Sequence, residues 1–436
     1  MPFPMGVIAN TAGAGVLCIA CAPSPVASRE VPQDATVPRR VLWIDVDDVG
    51  RDLLEASPTP SLDRLRREGL EFTHHWASPK CSPFRARVMT GLDSYRPGNW
   101  VGHVVRSVDS YSLPTDQLLL PSPPVGRSSH RGKWHLAKVT NYRHPILCGF
   151  DEWSGPMGNP EGDFYRWEKV TANRDTFSVA TSEVYATVET ADDVLADLRE
   201  GFDFIHASFP DVHKPMQLPP RELWSQPAPA PGDRQGVRRV KMEALDTLLG
   251  RVVDEALRRG YYVFVTSDNG SSDMKQETGE GKGTMRESGI STFLLVLGPG
   301  VPRGRTDRLV QATDHMVTIR TILGAPTDDP PVDSKSYADE LGDFPGAPPR
   351  ETVTSDWYRS RLGRPPLPEL WERAIRDARW KLVRLWDEDA QGFRDYLFDL
   401  ENDPDEATPL DPDADPEVRR AYEYLWERLP KTEDGR

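Results

Sequence analysis

Cysteine is scarce, with four in 436 residues. Two of them, Cys18 and Cys21, fall among the first 22 residues, which leaves Cys81 and Cys148 for the rest of the chain. Two thiols so far apart build no disulfide framework. Positive charge is short as well: 53 Lys+Arg against 68 Asp+Glu give a net charge of −15 and a pI near 5.2. That balance excludes nucleic acid as the main partner, because backbone phosphates need clustered cations. It leaves room for a small anionic substrate, since one pocket can be positive on an acidic protein. Long hydrophobic runs are missing too. After residue 30 there is no run of about 18 apolar residues, the least that crosses a bilayer as a helix.

The 38% of hydrophobic residues, with 12 tryptophans, suffice for a sizeable core. Residues 5–22 are small and apolar and lead into a Pro/Ala/Ser-rich stretch over 23–36. This resembles a signal peptide with a linker, although the first basic residue is Arg29 and Cys18-Ile19-Ala20-Cys21 is a poor lipobox. A frayed leader or a misassigned start is the other reading. Export to a periplasm or the exterior is expected, a cytoplasmic location stays open, and an N-terminal lipid anchor is the one membrane attachment allowed. The organisation read from these shifts is a leader and linker over 1–36, a catalytic domain over 37–350 and a C-terminal subdomain over 351–436.

Val41–Val46 is an apolar run ended by Asp47-Asp48-Val49-Gly50, and reads as a buried parallel strand. Thr59-Pro60 opens a helix that Gly69 closes, followed by a short strand, Leu70–Phe72. Pro83 and Gly91 bracket another helix over Phe84–Thr90. Phe202–Phe209, Tyr261–Thr266 and Thr292–Leu297 are further apolar strands, with an amphipathic helix over Val240–Arg259. The alternation predicts an α/β fold: a large, mostly parallel or mixed sheet covered by helices on both faces. Ligands of such sheets collect at the carboxyl ends of strands, where Asp47-Asp48 and Asp268-Asn269 both fall. Beyond residue 351 the pattern changes. Ala374–Trp386 and Asp395–Leu400 alternate like paired strands, and a helix follows at Pro416–Leu429, a smaller α+β unit with a short antiparallel sheet.

Three carboxylates and one amide oxygen at Asp47, Asp48, Asp268 and Asn269 suit a hard cation, Ca²⁺ or Mg²⁺, rather than zinc. Either pair alone also reads as a solvated turn. Cys81-Ser82-Pro83-Phe84-Arg85 puts a thiol beside a helix N-terminus, where an anion is favoured, with Arg85 and Arg87 adding charge. Cys81 is therefore either a low-pKa nucleophile or a buried core thiol. Lys133 and His135 are two apart and point to one side if the segment is extended. A lone Lys-x-His is otherwise surface decoration. His213-Lys214-Pro215 follows a strand and doubles as an ordinary polar loop, and Gly279-Glu280-Gly281-Lys282-Gly283 presents one lysine on a flexible loop. Together these residues suit displacement at a tetrahedral, oxygen-rich anionic centre.

At this point the chain resembles the type I, formylglycine-dependent sulfatase family, arylsulfatase-like within the alkaline phosphatase-like superfamily. The likeness is carried by Cys81-Ser82-Pro83-Phe84-Arg85 running to Thr90-Gly91, which matches the family's C-x-P-x-R segment. Val46–Gly50, Thr59–Leu65, Gly132-Lys133-Trp134-His135, Gly149-Phe150-Asp151, Ser267–Gly270, Gly281-Lys282-Gly283-Thr284 and Phe398–Pro404 follow in the family's order. The resemblance implies sulfate-ester hydrolysis, with Cys81 oxidised to formylglycine (3-oxoalanine) by a maturation enzyme that binds transiently. It implies one Ca²⁺ or Mg²⁺ per chain on Asp47, Asp48, Asp268 and Asn269. It makes Arg85 the holder of the formylglycine hydrate, Lys133 and Lys282 the partners of sulfate oxygens, His213 the acid for the leaving oxygen and His135 the base for the hydrate. The substrate would be a small-molecule or carbohydrate sulfate ester. Phe84 stands where serine is usual, and the stretch from Leu113 to Gly132 is shorter and richer in proline than the helix and strand usual there. The alternatives are a phosphonate monoester or phosphodiester hydrolase, and an inactive binding lipoprotein whose Cys81 stays a thiol. Asn99, Trp100, His103, Trp153, Tyr165, Trp167 and Arg286 are candidates for the pocket rim, while His74, His75 and His315 read as structural.

Overall fold

The computed structural model describes residues 39–160, 162–272, 281–325, 327–359, 362–367 and 370–431. The leader, with Cys18 and Cys21, and the Gly279-Glu280 part of the glycine-rich loop lie outside the described residues. Ten strands form the main sheet: β1 (Arg40–Val46), β2 (Leu70–Trp76), β3 (Ser128–Gly132), β4 (Glu152–Gly155), β5 (Trp167–Asn173), β6 (Phe177–Ser182), β7 (Phe204–Phe209), β8 (Tyr261–Ser267), β9 (Ser291–Leu297) and β10 (Gly304–Gln311). Their order across the sheet is β10-β2-β9-β8-β1-β7-β3-β4-β5-β6. β9 pairs antiparallel with β8 and β2, and β5 with β4 and β6, while the pairs among β8, β1, β7, β3 and β4 are parallel. The sheet is thus mixed, with a parallel centre. Among the helices are α1 (Arg51–Glu55), α2 (Pro60–Glu68), α3 (Cys81–Thr90), α4 (His144–Leu147), α5 (Ala186–Glu200), α6 (Arg234–Arg258), α7 (Glu287–Ile290) and α8 (Asp314–Ile322).

Side-chain alternation along β1 divides two cores. Leu42, Ile44 and Val46 pack with Leu245, Leu248, Leu249 and Val252 of α6 on one face. Val41 and Trp43 face the other side, with Phe84, Val88 and Met89 of α3 and with Met316 and Ile319 of α8. Truncating any of these leucines to alanine costs about 2–5 kcal/mol. Because the period is two, Asp45 and Asp47 follow Trp43 toward the side that carries α3. Helix α6 starts at Arg234, earlier than the hydrophobic stripe suggests, because Asp233 caps it by accepting from the Gly236 amide at 2.7 Å.

A second sheet, β11 (Val353–Tyr358), β12 (Trp371–Arg376), β13 (Trp380–Asp387) and β14 (Gly392–Asp399), is antiparallel throughout. The run Ala374–Trp386 is two strands rather than one. Asp377 Oδ1 accepts from the amides of Arg379 and Trp380 at 2.8 and 2.6 Å and folds the chain back. Helix α9 (Pro416–Arg428) is capped by Asp415 and packs Val418 and Leu425 on Ile375, Leu382 and Leu397.

Candidate active site

Register brings the site together. Val46 of β1 lies opposite Phe209 of β7 and Ser267 of β8, and Gly132 of β3 lies opposite Ser208. Four strands therefore end in one row, and the residues after them emerge side by side: Asp47-Asp48, Lys133, His213 and Asp268-Asn269. The Asp48 amide donates to Asp268 Oδ1 at 3.2 Å across 220 positions of sequence.

Helix α3 supplies Cys81 and Arg85, one turn apart on one face. It begins at Cys81, two residues before the start expected from Pro83. Proline is tolerated there because the first-turn amides have no helical acceptor. Both residues are buried, at 1% and 2% exposure. Ser82 Oγ donates to the His135 carbonyl at 2.9 Å and accepts from the Val105 amide at 3.0 Å, which ties α3 to the Lys133–His135 segment. That segment is not extended: Gly132 and His135 have φ of 94° and 62°. A side chain at 132 would put its Cβ 2.1 Å from the Ser208 carbonyl oxygen, so glycine is required. Lys133 and His135 still converge, with Lys133 Nζ on Asp47 Oδ2 and His135 Nδ1 3.5 Å from Cys81 Sγ. Lys282 Nζ pairs with Asp48 and lies 4.0 Å from Cys81 Sγ.

The charges shift one another. Burial opposes ionisation of Asp47, but Lys133 and then His213 hold its carboxyl well below the usual range. Burial pushes Asp268 the other way, and Asp47 and Cys81 add to that rise. For Cys81 burial disfavours the thiolate, yet Lys133 and Lys282 outweigh it and lower the thiol. Burial, then Lys133, holds His135 well below the ordinary imidazole value, which favours the neutral ring. His213 is lowered by burial against the pull of Asp48 and Asp47. Its Nδ1 lies 2.9 Å from the Lys214 carbonyl, an acceptor only, so Nδ1 carries the proton and Nε2 of the neutral ring is left without one.

Asp47 Oδ1, Asp48 Oδ2, Asp268 Oδ2 and Asn269 Oδ1 are all buried without a hydrogen-bond partner. Orphaned buried oxygens are costly, and one from each of four neighbouring residues makes an oxygen donor set suited to a hard divalent cation. Asp47, Cys81 and Asp268 present ligand atoms within 4.8 Å of one another.

Sequence reasoning missed several residues behind this row. Asp211 accepts from Tyr185 and Thr187 hydroxyls at 2.9 and 2.7 Å and pairs with Lys241 at 2.9 Å. Lys241 also donates to the His213 carbonyl at 2.6 Å and so fixes that loop. A lysine at helical spacing with Leu245, Leu248 and Val252 was the signal available. The rim candidates differ in their setting. Trp153 and Trp167 are buried core residues, at 0% and 5% exposure, and Asn99 is buried with its amide on the Leu92 carbonyl. Trp100 is half-buried, His103 Nδ1 lies 2.9 Å from the Val104 carbonyl, Tyr165 donates to the Leu218 carbonyl and Arg286 to the Glu406 carbonyl. A cavity of about 260 Å³ beside His213 is lined instead by Asn159, Gly162, Lys214 and Pro215. His75 and His315 bridge Nε2 to Nε2 at 3.0 Å inside the core, and His74 Nδ1 lies 3.0 Å from the Asp307 carbonyl.

A buried thiol, buried cations and carboxylate oxygens without hydrogen bonds gather at the carboxyl edge of a mixed α/β sheet, an arrangement consistent with the alkaline phosphatase-like class. Within it, residues 39–325 match the sulfatase family model, and the chain belongs to the sulfatase family. It is 29% identical over 349 residues to N-acetylgalactosamine-6-sulfatase of Sus scrofa, a match that covers 69% of this chain and 64% of that protein. The chain thus spans slightly less than two-thirds of that relative's length. Its fold is shared with a structure tied to the metabolism of multiple glycosaminoglycans by Bacteroides thetaiotaomicron, with a TM-score of 0.72 and 17% identity over 89% of this chain and 94% of that one. A protein solved in complex with its substrate D-glucosamine-2-N,6-O-disulfate is also similar in fold, with a TM-score of 0.68 and 16% identity over 90% of this chain and 97% of that one. Among the described residues, no helix is long and apolar enough to cross a membrane.

Proposed function

We propose that the chain hydrolyses a sulfate ester, R–O–SO₃⁻ to R–OH and sulfate, with residue 81 as the nucleophile after oxidation of Cys81 to formylglycine. The observation that carries this reading is the setting of Cys81 Sγ at the α3 N-terminus, with His135 Nδ1 at 3.5 Å and Lys282 Nζ at 4.0 Å beside the orphaned oxygens. The oxidised side chain supplies, as its hydrate, an oxygen nucleophile that a thiol lacks. Asp47, Asp48, Asp268 and Asn269 would hold one Ca²⁺ or Mg²⁺, which supplies positive charge toward the sulfate oxygens. Arg85 holds residue 81 in place. Lys133 and Lys282 bring ammonium charge to the sulfate, where it stabilises the transition state most in a site closed to water. His213, once protonated from solvent at Nε2 as well as Nδ1, gives the Nε2 proton to the alcohol oxygen as the hydrate oxygen bonds to sulfur and the ester S–O bond breaks. His135 then takes the proton of the other hydroxyl of residue 81, so that the aldehyde re-forms, sulfate leaves as its C–O bond breaks, and water restores the hydrate.

The substrate is a small-molecule or carbohydrate sulfate ester, as the named relative and the disulfated-sugar complex suggest. We assign catalysis to residues 37–350, a supporting subdomain to 351–436, and an export leader with its linker to 1–36. Mass analysis of the tryptic peptide around Cys81, after expression with a maturation enzyme, tests the nucleophile. The aldehyde mass is expected, and an unmodified thiol would sink the catalytic reading in favour of a binding protein. Paired aryl sulfate and aryl phosphonate esters test the substrate, with faster phosphonate cleavage overturning the sulfate assignment.

A further inference from the structure

Behind Arg85 lies a buried polar cluster that the roles above do not use. Asp45 on β1 has its Oδ2 2.9 Å from Arg85 Nη2, and both side chains are 1% exposed. Its Oδ1 accepts from His206 Nε2 at 2.6 Å and from Ser208 Oγ at 3.0 Å, both on β7. Arg85 Nη1 donates to Ser208 Oγ at 2.7 Å and to the Lys133 carbonyl at 2.9 Å. The same carbonyl receives His130 Nε2 at 3.2 Å, and the His130 ring meets His206 edge-on with centroids 4.7 Å apart. Arg85 Nε and Nη2 make no hydrogen bond of their own.

The arrangement is asymmetric in a useful way. One edge of the Arg85 guanidinium is anchored to the strands by a carboxylate, a hydroxyl and a carbonyl, while Nε keeps its donor capacity. A planar guanidinium fixed at one edge can aim the remaining donors without losing side-chain entropy at each turnover. The anchor also reaches the backbone of Lys133, so one cluster sets both groups. Its residues come from β1, β7 and β3, the rigid centre of the sheet, rather than from loops.

We propose that Asp45 and His206 are positioning residues, which hold Arg85 and the Lys133 carbonyl in the geometry that the reaction at residue 81 requires. This rests on the sulfate-ester reading above. The His206 Nε2–H donor fixes Asp45, and Asp45 fixes Arg85; neither touches the substrate.

The test compares matured wild type with His206→Phe, which keeps the ring and removes the donor, and His206→Gln, whose Nε2 restores a donor near the same place. Expected for His206→Phe is a fall in kcat of about 10- to 100-fold, typical of lost outer partners, with KM within a few-fold. His206→Gln should recover most of the loss at a thermal midpoint like that of the phenylalanine variant. Equal kcat in all three, or no recovery by glutamine at matched stability, overturns the proposal. Crystal structures of the two variants give a readout that needs no turnover. Arg85 should leave the Lys133 carbonyl in His206→Phe and remain on it in His206→Gln, and an unmoved Arg85 in both overturns the inference. If wild type cleaves no sulfate ester, the functional reading fails by itself and Arg85 placement still decides the positioning role.

Discussion

Two clusters of buried charge can be set side by side. At the ends of β1 and β8, Asp47, Asp48, Asp268 and Asn269 each keep one oxygen without a hydrogen bond although Lys133 and Lys282 are close. At the junction with the small sheet, Glu287 accepts from Lys381 at 3.0 Å, Trp76 at 3.0 Å and Arg376 at 3.2 Å, and Lys381 lies 2.8 Å from Glu406. In the second cluster each charge faces an opposite one and a single oxygen, Glu406 Oε1, lacks a hydrogen bond; the cluster joins the two sheets. The first leaves one oxygen without a hydrogen bond on each of four adjacent residues, a concentration that suits a bound cation. Convergence of orphaned oxygens on one point, more than burial or charge, separates the candidate binding site from the staple.

That contrast can be broken in order of effect. Cys81→Ala should abolish turnover relative to matured wild type, by on the order of 10⁴- to 10⁶-fold as for other lost nucleophiles, with the thermal midpoint nearly unchanged. A similar residual rate would remove Cys81 from the chemistry. Lys381→Met, at the second cluster, should cost about 3 kcal/mol in chemical denaturation by stranding Glu287 and Glu406, while kcat of the folded fraction stays the same. Asp268→Asn should act in reverse. Calorimetry should show Ca²⁺ or Mg²⁺ binding weakened by more than the about 10- to 100-fold typical of an outer partner, with little loss of stability. Undiminished affinity would argue against the oxygen set as a metal site.

The smallest effect is in pH. Burial opposes the charge on Glu287, but Lys381 and then Arg376 hold its carboxyl down to about 2, from an ordinary 4.5. A depressed folded value means that the stabilisation is fully present above the unfolded value and is lost as pH falls through the folded one. The stability gap between wild type and Glu287→Gln should be constant near neutrality and shrink between pH 4.5 and 2. A gap that widened on acidification would contradict the pairing.

Much of this was legible because apolar runs that end in carboxylates mark buried strands: Val41–Val46 and Tyr261–Thr266 were placed to within a residue, and Asp47-Asp48 met Asp268-Asn269 as strand order required. The direction of β9 was not legible, since it runs antiparallel to both its neighbours yet has the same apolar pattern as the parallel strands β1 and β8. β3, with the sequence Ser-Ser-His-Arg-Gly, escaped notice because its buried side chains are polar and satisfied by Asp197, Asp151 and backbone. Lys133 and His135 converge by left-handed backbone and the Ser82 bridge rather than by pleating. Asp45 sat two positions before Asp47 with the same strand parity, a signal that was present but needed His206 and Arg85 to gain meaning.

The register that joins Val46 to Ser267 has a consequence for synthesis. Asp48 and Asp268 are 220 positions apart, so the oxygen set cannot be completed while the first half of the chain leaves the ribosome. Contacts of such separation form late and slowly. Strands β1 and β7 can pair and α3 can coil, but the cluster stays half-built until β8 arrives. A chain truncated before Tyr261 should therefore carry Cys81, Arg85 and Lys133 and still bind no divalent ion.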